Sequence, residues 1–329
     1  MRRALIIISI CVVILAGVTA GAGYFWLKSA YQTASSVPVD TVVTIKRGSG
    51  IAAISNQLKN DGLIPNPHVF RYGLRFFDDQ RPLRAGEYKI IAGASPAEIA
   101  RILKEAEPIT YRITLAEGLT SSEIVDLIRD DQVLVGDIDA VSAEGSLLPE
   151  TYHFHRGETR MGILTRMTSA MDKALSKAWD GRQANLPLKS QKDALILASI
   201  VEKETGIDNE RGQVAGVFIN RIRKGMRLQS DPTVVYGITM GAGPLGRGLK
   251  RSELDAKTDY NTYQINGLPP TPIANPGLAS IEAVLNPEET KALYFVADGT
   301  GGHVFSKTLS EHNRNVRAWR KIERARKKN

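Results

Sequence analysis

The run with the most chemical content is Ile196-Leu197-Ala198-Ser199-Ile200-Val201-Glu202-Lys203-Glu204-Thr205. It reads as a helix, and on a helix Glu202 and Glu204 point about 200° apart. They form no close carboxylate pair while that helix persists. Glu204 shares a face with Leu197, Ile200 and Val201, whereas Glu202 shares one with Leu195, Ala198 and Ser199. A carboxylate at the end of an apolar stripe is partly desolvated, which disfavours its charged form and raises its pKa. A general acid working near neutral pH needs that shift. Glu204 is therefore the better candidate acid, and Glu202 a supporting or surface group. The competing reading pairs a helix-terminal Glu204 with Lys203 or Arg211.

Two further clusters suit a sugar. Gln229, Ser230 and Asp231 stand at a turn before Pro232, where amide and hydroxyl groups can hold an N-acetyl group or hydroxyls. Asp231 equally suits the N-cap of a helix starting at Pro232. Asp259-Tyr260-Asn261-Thr262-Tyr263 interleaves tyrosines with an amide. Rings stack on sugar C–H faces and Asn bonds hydroxyls, but core tyrosines with satisfied hydroxyls look the same in sequence. His153-x-His155 is alternate spacing on a strand, which by itself is no metal signature. His303 and His312 are expected to support loops. There is no G-x-S-x-G, P-loop or dinucleotide fingerprint, so neither metal nor cofactor is expected.

The elements that must position these groups follow from patterning. Thr41–Ile45 is β-branched and strand-like, Gly48-Ser49-Gly50 makes a turn, and Ile51, Ile54 and Leu58 have helical spacing. His68–Phe77 reads as a second short helix and Gly86–Ile91 as a returning strand. Ser95-Pro96-Ala97-Glu98 has the form of a capped helix start. The unit then echoes: Thr44-Ile45-x-x-Gly48 is matched by Thr114-Leu115-x-x-Gly118, followed by Ser121–Ile128 as a helix. A strand–turn–helix unit of this kind resembles the LysM-like module that binds N-acetylated glycans; a plain spacer is the alternative. Met161–Trp179, Asp193–Glu204 and Val214–Lys224 read as helices and Leu293–Ala297 as a strand. Loops are expected to dominate from 225 to 277, with a solvated basic helix end after Trp319 that includes Lys321, Arg324, Arg326, Lys327 and Lys328.

Composition bounds the rest. The 329 residues suggest about two domains, and 43% hydrophobic with 24% charged residues excludes wholesale disorder. One cysteine, Cys11, excludes an internal disulfide and a cysteine-based zinc site; lying mid-run after Ile10, it is also a poor lipid-attachment site. A formal charge of +8 suits an acidic polymer as partner. Arg2 and Arg3 precede an uncharged run from Ala4 to Leu27. Its roughly 24 residues reach about 36 Å, enough to cross a hydrocarbon core of about 30 Å. Tyr24 and Trp26 mark the far interface, and the arginines hold the near end in the cytoplasm. A retained single-pass anchor is expected, with a signal peptide cleaved at Ala20-Gly21-Ala22 as the rival. Gly17-x-x-x-Gly21 also allows close packing of two membrane helices. Export disfavours a nucleic-acid partner. Ser35–Pro38 reads as a linker.

Together these motifs resemble the endolytic murein transglycosylases of the MltG (YceG-like) family. The resemblance rests on Ala198–Thr205, Arg227–Gly237, Tyr260–Tyr263 and Gly267–Pro270, in that order. Leu148-Pro149-Glu150-Thr151-Tyr152, Tyr294–Gly299 and His303-x-Phe305 with His312-Asn313 also fit.

The resemblance implies an enzyme of the bacterial inner membrane with its catalytic domain in the periplasm. It implies cleavage of nascent peptidoglycan strands at the MurNAc–GlcNAc bond, leaving 1,6-anhydro ends. It maps the catalytic glutamate onto Glu204. Gln229, Ser230, Asp231, Tyr236, Asn261 and Tyr263 are then expected to bind substrate, with Glu202 and Glu150 supporting. Glycan synthases of the elongation or division machinery are expected partners. The expected fold is α+β: an anchor at 1–28, a LysM-like module at 29–110 and a catalytic domain at 111–329, the echo occupying 111–145. Two rival readings stand: a non-catalytic glycan-binding or division scaffold, and a hydrolase with Glu150 or Asp231 as second carboxylate.

Overall fold

The computed structural model describes residues 2–35, 37–79 and 81–326. Ser36 of the expected linker, and Lys327 and Lys328 of the basic tail, lie outside the described residues. The fold is α+β, with long helices and, among the described residues, three two-stranded sheets. The chain divides into two compact units. Unit 1 holds Met1–Tyr111 with His153–Gly157; unit 2 holds Arg112–Tyr152 with Glu158–Asn329.

Unit 1 starts with α1 (Arg2–Gln32) and runs through β1 (Thr41–Ile45), α2 (Ile51–Asn60), α3 (Pro67–Phe77), β2 (Gly86–Ile90) and α4 (Pro96–Glu105). Strands β1 and β2 pair antiparallel, Val43 opposite Tyr88. Inward residues of both strands join Ile54, Leu58, Phe70, Ile99 and Leu103 in one core. Helix α4 opens with the expected capping box, Ser95 and Glu98 satisfying each other's backbone N–H groups. The apolar helix does not stop at Leu27. It continues to Gln32 and buries Tyr31 to 2% exposure in the unit 1 core. Gly73 of α3 makes room for this, since a β-carbon there would collide with the Tyr31 ring.

Next come β3 (Thr110–Thr114), α5 (Ser121–Asp130) and β4 (Thr151–His155), with β3 and β4 paired in one sheet. The echo has a conformational basis: Gly48 and Gly118 both adopt positive φ, 79° and 76°, at the same place in the strand–turn–helix.

Unit 2 is built on α6 (Arg160–Asp180), α7 (Gln191–Glu204), α8 (Asp208–Arg223), α9 (Asp231–Thr239), α10 (Arg251–Asp255) and α11 (Leu278–Leu285). A hairpin of β5 (Tyr294–Ala297) and β6 (His303–Ser306) follows, then α12 (Leu309–Arg326). Helix α7 is its axis. Ser190 caps it by accepting from the Asp193 N–H at 3.2 Å, and Ala194 and Ile196–Val201 are all buried. Its neighbours supply Met171 from α6, Val214 and Phe218 from α8, and Ile281 and Val284 from α11. Truncating a residue such as Leu197 to Ala would cost about 2–5 kcal/mol. Loops dominate 225–277, interrupted by the short helices α9 and α10. The basic tail belongs to a full helix, α12, because Trp319 and Ile322 pack over Gly299 beside the hairpin.

Candidate functional site

Glu204 is the last helical residue of α7. Its carboxyl group meets the Ser230 hydroxyl, which donates to Oε1 at 2.5 Å. Ser230 occupies the N-cap position of α9, yet its side chain makes no cap bond; the hydroxyl serves the carboxyl group instead. Burial pushes the Glu204 pKa above the ordinary glutamate value. The Ser230 hydrogen bond opposes that rise, nearby Asp231 adds to it, and His303 and Arg221 oppose it. The C-terminal end of a helix also disfavours negative charge. Glu204 pairs with neither Lys203 nor Arg211. Lys203 donates to the Gly118 carbonyl at 3.0 Å, and Arg211 pairs with Asp208 at 2.6 Å.

A groove of about 600 Å³ opens over Glu204. Gln229, Asp231 and Tyr263 form part of its wall, with Arg221, Tyr294 and His303 among the others. The turn that presents Gln229 and Ser230 is pinned by Thr262. The Gln229 N–H reaches the Thr262 carbonyl at 3.1 Å, and the Ser230 N–H reaches Thr262 Oγ1 at 2.9 Å. Gln229 itself takes a left-handed φ of 52°, which costs a non-glycine residue roughly 1–2 kcal/mol. The Tyr263 hydroxyl donates to Asp231 Oδ1 at 2.7 Å.

Several expectations need correction. Tyr236 is not on the groove wall: it is buried, its hydroxyl donates to Glu144 at 3.2 Å, and its ring lies 5.0 Å from Tyr260. Asn261 is 0% exposed. Its amide donates to the carbonyls of Glu253, Leu254 and Ala256, and its Oδ1 accepts from the Tyr263 N–H, so it organises the loop and has no donor left for a sugar. Asp231 is not an N-cap; it is the first residue of α9, and its carboxylate faces Tyr263. Glu202 points away, as helix geometry requires, and accepts from the Gly277 N–H at 3.0 Å at the start of α11. Glu150 is exposed beside β4, accepts from the Thr151 N–H, and is not a groove residue.

The two histidines expected to support loops stand on regular elements. His303 lies on β6, and its Nδ1 is 2.7 Å from Glu210 Oε2. His312 lies on α12, stacked 5.1 Å from Tyr294, and both rings line the groove. Burial holds the His312 pKa below the ordinary histidine value, with Arg221 adding to the effect. Arg221 was missed altogether. It is buried, donates to the carbonyls of Leu293 and Leu228 at 2.7 and 2.6 Å, and its guanidinium lies 5.2 Å from the Tyr294 ring centre. A signal existed: Arg221 continues the stripe of Val214, Val217 and Phe218 at i+7, i+4 and i+3, where an apolar residue is expected.

Comparison with known proteins places this arrangement. The model of the YceG-like family matches residues 43–318, from unit 1 through the groove to α12. The chain belongs to the YceG-like family. Among curated YceG-like relatives, the endolytic murein transglycosylase of Bacillus subtilis strain 168 is 29% identical over 326 residues, covering 89% of each chain. That of Streptococcus pneumoniae serotype 2 is 28% identical over 359 residues, covering 92% of this chain and 63% of its own. A crystal structure of a yceG-like protein from Listeria monocytogenes aligns with a TM-score of 0.51 at 32% identity, covering 84% of this chain and 98% of that one.

Proposed function

We propose that this protein is an endolytic lytic transglycosylase of peptidoglycan, with Glu204 as acid and then base. Peptidoglycan-cleaving transglycosylase activity is what the names of its relatives support. The observation that carries the catalytic assignment is the half-buried Glu204 carboxyl group, its pKa raised, lining a groove large enough for saccharide units.

The chemistry runs without water as nucleophile. Protonated Glu204 donates its proton to the glycosidic oxygen as the C1–O bond breaks. The acetamido oxygen of the muramyl sugar bonds to C1, giving an oxazolinium ion. Glu204, now ionised, takes the C6 hydroxyl proton. O6 then displaces the acetamido oxygen at C1 and closes the 1,6-anhydro ring. One carboxyl group serves both steps, as general acid–base catalysis permits. Gln229 and Tyr263 orient the sugar, and Asp231 faces the developing positive charge.

Asp231 also supports a second reading. It lines the same groove as Glu204, the arrangement of a two-carboxylate hydrolase. Mass spectrometry of products from the full chain in detergent, acting on isolated glycan strands, separates the readings. Anhydro ends from wild type and none from Glu204→Gln support the proposal. Products heavier by one water support the hydrolase, and no products with glycan binding retained support a scaffold.

In this reading α1 is the single-pass anchor, with the groove on the periplasmic side of the inner membrane. Its 5–32 segment is apolar enough to span a bilayer, and a signal sequence passes the same test. Intact mass of the membrane-extracted protein decides between them. Association with glycan synthases completes the proposal and is tested by co-purification.

A further inference from the structure

One surface of unit 1 stands apart from the groove chemistry. Helix α3 buries Val69, Phe70, Gly73 and Leu74. Its exposed face is His68, Arg71, Tyr72, Arg75 and Phe76, the i, i+3, i+4, i+7, i+8 pattern of one helix side. That face carries rings and guanidinium groups and no carboxylate. Tyr72 is 49% exposed and Phe76 60%. The rings form a ladder, His68 to Tyr72 at 6.5 Å and Tyr72 to Phe76 at 6.3 Å, each pair tilted by 22°. The Arg75 guanidinium lies 5.9 Å from the Phe76 ring centre. Burying a side chain such as Phe76 is favourable, and that gain is forgone while it faces water.

The packing of α3 on α1 indicates what covers this face. Gly73 lies against Tyr31, and the Phe77 ring is 6.2 Å from Tyr31 and 5.1 Å from Tyr24. Moving toward the end of α3 therefore means moving back along α1, toward its apolar segment. Helix α3 ends level with Tyr24. Exposed Tyr24, Phe25 and Trp26 mark that level, and aromatics at the end of an apolar span seat among lipid headgroups. The ladder lies about 100° round α3 from the Gly73–Phe77 stripe that meets α1, so α1 leaves it open. The acidic residues that follow are neutralised within the protein: Lys104 pairs with Asp78 and Asp79 at 3.0 and 3.1 Å, and Arg81 with Asp79 at 2.6 Å.

We infer that the His68–Tyr72–Phe76 face of α3, with Arg71 and Arg75, is a lipid-headgroup contact. The rings enter the interfacial layer and the guanidinium groups pair with lipid phosphates, as on an interfacial amphipathic helix. This rests on α1 being a retained anchor. A glycan strand is the competing occupant of an aromatic ladder, and the level of Tyr24 favours lipid.

Nitroxide labels on the full chain in nanodiscs containing anionic phospholipid test it. In a Cys11→Ser background, Ile14→Cys reports the span, Phe76→Cys the ladder, and exposed Ala53→Cys on α2 is the aqueous control. His68→Cys repeats the ladder measurement with Phe76 intact. The expected result is an oxygen-accessible label at 14. Labels at 76 and 68 should be shielded about threefold or more from an aqueous nickel chelate relative to 53, as interfacial burial of about 5–10 Å requires. Charge reversal by Arg71→Glu with Arg75→Glu should restore chelate access at 68 and leave 14 unchanged. Labels at 76 and 68 as accessible as 53, with 14 in lipid, overturn the inference alone. An aqueous label at 14 overturns the anchor and the inference with it. Shielding at 76 only after glycan strands are added overturns it in favour of a sugar platform.

Discussion

The Ser230 hydroxyl donates to Glu204 at 2.5 Å and accepts nothing from the N–H groups that open α9. A hydroxyl at an N-cap position ordinarily accepts from the first turn, and losing that role costs about 1 kcal/mol. Here it tunes a carboxyl group. Its bond favours the ionised form and so holds down a pKa that burial raises. Ser230→Ala is therefore expected to move the alkaline limb of the kcat profile to higher pH. It should also slow turnover about tenfold, by removing the group that steadies the carboxylate after proton transfer. Initial rates across pH check both.

Glu204→Gln should lose anhydro products by about 10²–10⁴-fold, the span of general acid–base catalysis. It should also stabilise the protein at high pH. A carboxyl group with a raised folded-state pKa binds its proton more tightly when folded. That stability is full below the unfolded-state pKa and is lost as pH rises through the folded-state pKa. A neutral amide removes the loss. The Tm difference between variant and wild type should grow in the variant's favour from pH 5 to pH 8, measured by calorimetry.

Asn261 and Tyr263 are two residues apart and should fail differently. Asn261→Ala strands three carbonyls that the amide now holds, so urea unfolding should show a loss of about 2–3 kcal/mol. Tyr263→Phe removes only the donor to Asp231. It should leave stability within about 1 kcal/mol and change KM or kcat. Denaturation midpoints beside steady-state kinetics separate the two.

Arg221→Met keeps the bulk of the side chain and removes its charge and donors. The Leu228 and Leu293 carbonyls lose their partner, at a cost of about 2–3 kcal/mol. Glu204 loses a positive neighbour, so its pKa should rise further. Urea unfolding reads the first effect and the alkaline limb of the rate profile the second.

Much of this was legible in the sequence because it depends on short spacings. The opposed directions of Glu202 and Glu204 follow from the angle per residue alone, and the Ser95–Glu98 capping box is a local pattern. What the sequence hid depends on long-range partners. Whether Tyr236 faces sugar or core turns on Glu144, and whether Asn261 is free turns on carbonyls of the α10 segment. His303 reads as a loop support until Glu210 of α8 is beside it. The extension of α1 past Leu27 was hidden because Tyr31 finds its cover against distant residues, Gly73 and Phe77 of α3 among them.

Helix α7 is buried through most of its length, and Glu204 is its final turn. That carboxyl group is thus aimed by the buried core of unit 2, not by a surface segment with its own freedom. Nothing can disturb that aim without loosening the interior, and little can loosen the interior without spoiling the aim. On warming, the loss of cutting power and the collapse of the domain should be a single event.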